Sequence, residues 1–124
     1  MAKVLIVDDE ELISCNLAAY LEDEGLEVDV ANSAEDALRK VETGLRVQVC
    51  IMDMRLPDMN GDEACQALHR KDPEIRFLLH TGSPNYAISP ELGAIGIMPE
   101  HLYRKPIRDM AKLAASVRAL CAGR

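Results

Sequence analysis

Short apolar runs alternate with helical stretches along the whole chain, and this alternation limits the fold more than any other feature of the sequence. Val4-Leu5-Ile6-Val7 is a continuous aliphatic run, the pattern of a strand buried on both faces. Residues 11–24 then carry Leu12, Ile13, Leu17, Tyr20 and Leu21 at helical spacing, and Gly25 is a natural helix stop. Residues 26–30 alternate apolar and acidic side chains, which suits an edge strand. Ser33, with Asp36 three residues on, predicts an N-cap for a helix running through Ala37, Leu38 and Val41 to Gly44. Residues 47–52 read as a third strand ending at Asp53, and residues 62–71 as a helix with Pro73 beyond its end. Residues 75–79 form a fourth strand closing near Thr81. Residues 101–104 form a short fifth, and residues 107–121 a helix with apolar positions from Ile107 to Leu120.

Strand and helix thus alternate about five times. That order predicts an α/β fold of the (βα)5 type: a doubly wound, five-stranded parallel sheet with helices on both faces. The alternating second strand belongs at an edge, which selects the flavodoxin-like order 2-1-3-4-5. Pro84, Pro90 and Pro99, with Gly93 and Gly96 between them, predict a short or irregular fourth helix. The 124 residues fit a single domain, 1–124. With 48% hydrophobic residues the chain has enough apolar side chains for a core, and with 3% aromatics that core is aliphatic.

Lys and Arg number 14 and Asp and Glu 21, a formal net charge of −7. An acidic chain poor in aromatics has neither the basic patch nor the stacking platform that direct nucleic-acid binding needs. No apolar run is long enough for a membrane span, and the first residues carry no secretion or lipidation pattern. Cys15, Cys50, Cys65 and Cys121 are widely spaced and form no C-x-x-C pair. They read as reduced thiols, and the chain as cytoplasmic.

Ligands of open parallel sheets bind beyond the carboxyl ends of the strands, beside the switch point in strand order. Here those ends carry Asp8 and Asp9, then Asp53, then Thr81, then Lys105. Each alone has an ordinary structural reading: an acidic pair caps or turns, a threonine ends a strand, Lys-Pro sits in a loop. Together they bring three carboxylates, a hydroxyl and an ammonium to one place. Crowded carboxylates repel and raise one another's pKa, and a hard cation such as Mg²⁺ relieves them. A carboxylate is also a competent nucleophile toward phosphorus. The constellation points to phosphoryl capture on an aspartate.

Val4-Leu5-Ile6-Val7-Asp8-Asp9-Glu10, Ile51-Met52-Asp53-Met54-Arg55-Leu56-Pro57-Asp58-Met59-Asn60-Gly61, His80-Thr81-Gly82 and Arg104-Lys105-Pro106 together resemble a response-regulator receiver domain, the phosphoacceptor of two-component signalling. The resemblance spans essentially the whole chain. It implies that Asp53 is the phosphorylated aspartate, with Thr81 and Lys105 contacting the phosphoryl group and Gly82 the small residue beside Thr81. It implies Mg²⁺ held by Asp8, Asp9, Asp53 and the backbone carbonyl of Arg55, with Asp9 of the acidic pair as direct ligand. A cis Lys105–Pro106 bond is also implied. The implied partners are a sensor histidine kinase or a histidine phosphotransfer protein, and an effector domain or downstream protein of unknown identity. The implied activity is self-phosphorylation and dephosphorylation rather than turnover of a substrate.

The chain departs from the family in its switch residue, in a Thr81-to-Lys105 segment about two residues longer than the resemblance implies, and in the uncommon Arg55. The aromatic switch residue usual three positions before the lysine is Leu102 here, followed by Tyr103. Arg55 has a long cation placed to lie over the phosphoryl site or to be solvated. His69, His80 and His101 show no ligand spacing and read as ordinary surface or strand-end residues. Met52, Met54 and Met59 read as packing or loop residues. Two alternatives stand beside the receiver reading. One is a receiver-like interaction module that is never phosphorylated. The other is an aspartyl-phosphate phosphatase, which needs a second carboxylate where Arg55 stands.

Overall fold

The aliphatic runs form the interior of a five-stranded parallel sheet. The computed structural model describes residues 3–122. Its strands are β1 (Lys3–Val7), β2 (Glu27–Ala31), β3 (Val49–Asp53), β4 (Arg76–Thr81) and β5 (Leu102–Arg104). The helices are α1 (Glu11–Asp23), α2 (Ala34–Glu42), α3 (Gly61–Lys71), α4 (Pro90–Ala94) and α5 (Met110–Ala122), with a 3₁₀ turn at Pro99–His101. The strand order is β2-β1-β3-β4-β5, every pair parallel. This is the expected fold, with β2 at an edge. No helix among the described residues is long and apolar enough to cross a membrane.

Alternation along the strands divides the core in two. Leu5, Val7, Cys50, Met52, Phe77 and Leu79 face α2, α3 and α4, where Ala37, Cys65, Leu68 and Leu92 meet them. Val4, Ile6, Ile51, Leu78 and Tyr103 face α1 and α5, against Leu17, Leu21, Leu113 and Val117. Leu5, Leu68 and Leu78 are fully buried, and each such side chain stabilises the fold by about 1.5–3 kcal/mol relative to exposure.

Caps set most helix ends. Ser33 Oγ accepts from the Asp36 N–H at 3.0 Å, as expected. Asp58 adds a second cap from the β3–α3 loop, accepting from Ala34 and Glu35 N–H at 3.3 and 2.9 Å. A carboxylate at a helix N-terminus is favoured by both hydrogen bonding and the helix dipole. Asn60 caps α3 by accepting from the Glu63 N–H through Oδ1, and its amide N–H donates to Glu63 Oε1, both at 2.8 Å. At α5, Asp109 accepts from the Lys112 N–H at 3.0 Å, so the helix starts at Met110, three residues after the expected Ile107. The strands lie one to two residues later than expected, at 27–31, 49–53 and 76–81.

The fourth helix is short, as its prolines and glycines predict. Pro90 opens α4 after a Ser89 cap, and Gly96, at φ +97°, turns the chain after five helical residues. Leu92 and Ile97 are buried and pin this segment to the sheet.

One glycine sits where no other residue fits. A Cβ on Gly61 would lie 2.6 Å from Met54 Cα, whereas one on Gly93 would meet nothing within 4 Å. Gly61→Ala is therefore expected to cost at least about 2 kcal/mol of unfolding free energy. Gly93→Ala should be neutral or stabilising by about 0.5–1 kcal/mol. Urea unfolding of both variants checks the pair.

Candidate functional site

At the carboxyl edge of the sheet, β1 and β3 pair side by side between diverging connections, and the polar residues lie just there. Asp53 is the last residue of β3, Asp8 follows β1, Thr81 ends β4 and Lys105 follows β5. Asp8, Asp53 and Thr81 are buried. Asp8 Oδ1 accepts from the Glu10 N–H at 2.8 Å. Asp53 Oδ1 accepts from the Arg55 N–H at 3.1 Å. These short Asx-type turns aim both carboxylates across the strand ends.

Lys105 closes the group. Its N–H donates to Thr81 O at 2.7 Å. Its ammonium lies 3.1 Å from Glu10 Oε1, 3.4 Å from Asp53 Oδ2 and 3.7 Å from Asp8 Oδ2. The Lys105–Pro106 bond is cis, as the resemblance implied. A cavity of about 170 Å³, lined by Glu10, Asp53, Arg55, Gly82 and Lys105, opens above Asp53. Thr81 Oγ1 accepts from the Ser83 N–H at 3.1 Å. A Cβ on Gly82 would touch only Lys105 Cδ, at 3.9 Å.

The electrostatics follow from burial and crowding. Burial pushes the Asp53 carboxyl up to about 6, helped by the Asp8 charge and opposed by the Arg55 N–H and Lys105. Asp8 is raised too, chiefly by burial. Lys105 is burdened by burial but raised on balance by its hydrogen bond to Glu10 and the charges of Asp53 and Asp8.

Asp8, Asp53, Thr81, Lys105 and the Arg55 backbone meet at this edge as expected, with the Arg55 side chain exposed. Asp9 does not join them: it is exposed. Among the described residues, the carboxylates whose oxygens lie within 4.8 Å of one another are Asp8, Glu10 and Asp53. Nothing in the spacing of the sequence singles out Glu10. The signal for it is the turn that Asp8 makes with the Glu10 N–H, which brings the third acidic residue back over the first. The donor set is oxygen only, and Asp8 Oδ2 is buried with no hydrogen-bond partner. Both properties suit a hard divalent cation.

His80 is a strand-end residue, one of the two places its spacing left open. It is buried, at 3% exposure, rather than on the surface. Both ring nitrogens lack partners, and burial, then the nearby Lys105 charge, lower its pKa to about 4. Met52, Met54 and Met59 pack in or against the α2–α3–α4 core.

Tyr103 is placed by the pleat. It pairs in register with His80, while Arg104 pairs with Thr81, so Tyr103 packs toward α5 and Thr81 does not share its face. The Tyr103 hydroxyl bonds Ser116 Oγ and Lys112 O. On the Thr81 side, Arg104 donates to Ser83 O at 2.7 Å and Tyr86 O at 3.2 Å. The loop after Thr81 is thus tied to β5 by the Arg104 guanidinium.

A family model described as "Response regulator receiver domain" matches residues 4–117. The alkaline phosphatase synthesis transcriptional regulatory protein PhoP of Bacillus subtilis is 35% identical over 113 residues, covering 89% of this chain and 47% of that protein. The response regulator GacA of Pseudomonas syringae pv. syringae is 30% identical over 128 residues, covering 99% of this chain and 56% of that protein. The chain spans about half the length of these curated relatives. Among solved structures, response regulator TrrA of Thermotoga maritima, in complex with Mg(2+)-BeF, matches with a TM-score of 0.82 at 28% identity, covering 97% of this chain and 99% of that one. A two-component response regulator from Clostridium difficile shares the fold with a TM-score of 0.85 at 20% identity, covering 98% and 97%.

The raised carboxyl gives a signed pH dependence. Asp53 stabilises the fold at pH below its ordinary value of 3.8, and that contribution is lost as pH rises through about 6. His80 runs the other way, stabilising above its ordinary 6.5 and losing that as pH falls through about 4. Asp53→Asn isolates the carboxylate. In chelator, the variant should gain about 2 kcal/mol on the wild type between about pH 4 and about pH 8. A divalent cation held by the ionised carboxylates would reverse that gain. Urea unfolding at both pH values measures it; a flat difference shows that Asp53 is not held up by its surroundings.

Proposed function

Since this chain belongs to the response regulator receiver domain family, we propose that Asp53 takes a phosphoryl group from a phosphohistidine on a sensor histidine kinase or a histidine phosphotransfer protein. The observation that carries this reading is the single ammonium, Lys105, set within 3.1–3.7 Å of three carboxylates beneath a cavity that opens onto Asp53. That arrangement has a nucleophile, a fixed positive charge and room for a tetrahedral group.

In the proposed step an Asp53 carboxylate oxygen attacks phosphorus in line. The new O–P bond forms as the P–N bond to the donor imidazole breaks, and the imidazole nitrogen keeps the electron pair. Lys105 neutralises the phosphoryl oxygens. Its backbone is anchored to Thr81 O, so its charge is already in place and little reorganisation is needed. Asp8, Asp53 and the Arg55 carbonyl, with Glu10 or Asp9 as the further acidic donor, would hold Mg²⁺, whose charge further stabilises the same oxygens. The 28%-identical TrrA structure in complex with Mg(2+)-BeF supports this cofactor.

Phosphorylation adds charge and strong acceptor oxygens at the Thr81–Lys105 edge. The Thr81 hydroxyl, held by the Ser83 N–H, can turn to donate to one of them. Its neighbours in that move are Ser83 and the Arg104 contacts to Ser83 and Tyr86, so the altered surface is the α4–β5 side. An effector domain or a separate cytoplasmic protein reads that surface. The chain itself, at −7, makes no direct nucleic-acid contact in this reading.

Labelling with acetyl phosphate or a phosphohistidine donor tests the assignment. Asp53→Ala and chelation of Mg²⁺ should each abolish labelling; undiminished labelling of Asp53→Ala overturns it. Arg55 lines the cavity above Asp53 and is assigned the shielding of the phosphoryl group from water. Arg55→Ala should lose its phosphoryl group about 3-fold faster or more, an acceleration equivalent to about 0.7 kcal/mol. Equal decay rates leave Arg55 with no gating role.

A further inference from the structure

Buried polar atoms in folded proteins nearly always have hydrogen-bond partners, and the exceptions mark places where something else acts. Among the described residues the unpartnered ones are Asp8 Oδ2 and both ring nitrogens of His80. They are neighbours: His80 Nδ1 lies 3.9 Å from Asp8 Oδ2. That separation is beyond a hydrogen bond but within a small side-chain adjustment or one bridging water.

Packing does not explain a histidine there. His80 follows Leu78 on the face of β4 turned to α1 and α5, where Leu17, Leu113 and Val117 lie. It borders an apolar cavity of about 390 Å³ whose walls include Ile13, Leu17, Ile107 and Met110. A leucine would satisfy every one of these neighbours, and a buried imidazole without partners is disfavoured relative to it. Asn16 and Lys105 also line this cavity; the anionic partner within reach of the ring is the Asp8 carboxylate, 3.9 Å from Nδ1. Its other oxygen, Oδ1, is already held by the Glu10 N–H at 2.8 Å.

We infer that His80 is a positioning residue for the cation site, donating Nδ1–H to Asp8 Oδ2 and so fixing the plane of that carboxylate. A carboxylate oxygen has two lone pairs. With one taken by the ring N–H, the other is directed to the space shared with Asp53 and Glu10. Partners that orient a metal-binding carboxylate in this way commonly govern affinity although they never touch the ion. This inference rests on the reading of the carboxylate group as a divalent-cation site.

The test is Mg²⁺ binding by isothermal titration calorimetry, with thermal unfolding in chelator as the control for folding. His80→Leu should melt at or above the wild-type temperature yet bind Mg²⁺ about 10-fold more weakly or worse. A purely structural histidine does not separate the two readouts in that way. Two amide variants locate the donor. His80→Asn can place its N–H where Nδ1 stands and should recover most of the affinity. His80→Gln, a closer match in length, places its amide at the Nε2 position and should not. Folded His80→Leu binding Mg²⁺ within about two-fold of wild type overturns the inference; so do Asn and Gln variants of equal affinity, should the leucine variant not fold. Wild-type protein that fails to bind Mg²⁺ overturns the cation-site reading itself, and this inference with it.

Discussion

The rest of this molecule depends on one arrangement: three carboxylates gathered at the end of a parallel sheet against a single lysine. At about 4 Å, two unit charges interact by about 4 kcal/mol under an effective dielectric of about 20. Such crowding is tolerable only where an opposite charge is held rigidly among the acids. Lys105 is held in that way. Its N–H is anchored to Thr81 O at 2.7 Å, and the strand before it, β5, is only three residues long. Little of β5 beyond that placement is needed, so the shortest strand in the sheet serves the site more than the core.

The two faces of the sheet divide the labour. Leu5, Met52, Phe77 and Leu79 build the α2–α3–α4 core, and the same face ends in Thr81 and the loop clamped by Arg104. Val4, Ile6, Ile51 and Leu78 build the α1–α5 core, which ends in His80 and Tyr103. The Tyr103 hydroxyl is engaged by Ser116 and Lys112 of α5. The Thr81 side of the site therefore receives Leu102 and Arg104 from β5 rather than the Tyr103 ring. It is bounded by a short helix and a guanidinium tied to backbone carbonyls.

Much of this was legible in the residues. The buried strands announce themselves because Val4–Val7 and Val49–Met52 are apolar at every position, and β2 because Val28 and Val30 alternate with acids. Ser33 and Gly25 mark ends by mechanisms that act within a few residues. The short α4 follows from Pro90, Gly93, Gly96 and Pro99. The start of α5 was less legible: the apolar period runs back to Ile107, but Asp109 can satisfy the first free N–H groups, and the helix begins after it. Gly61 looked like one residue of a familiar loop. Only the approach of Met54 Cα, to which an added Cβ would come within 2.6 Å, makes it obligatory.

By itself the sequence determined the strand order, the edge at which the polar residues gather, and the identities of Asp8, Asp53, Thr81 and Lys105 as the residues delivered there. All of these follow from local periodicity and from the rule that parallel strands present their carboxyl ends together. The tertiary structure decided which neighbours those residues face, because a strand's pleat and a turn's hydrogen bond choose between adjacent side chains of similar chemistry. So Glu10 rather than Asp9 joins the carboxylate group, turned back by Asp8 Oδ1. Arg104 rather than Tyr103 stands beside Thr81, by the register of β5 on β4. His80, unremarkable in the chain, is buried against Asp8 because its place in the pleat turns it inward.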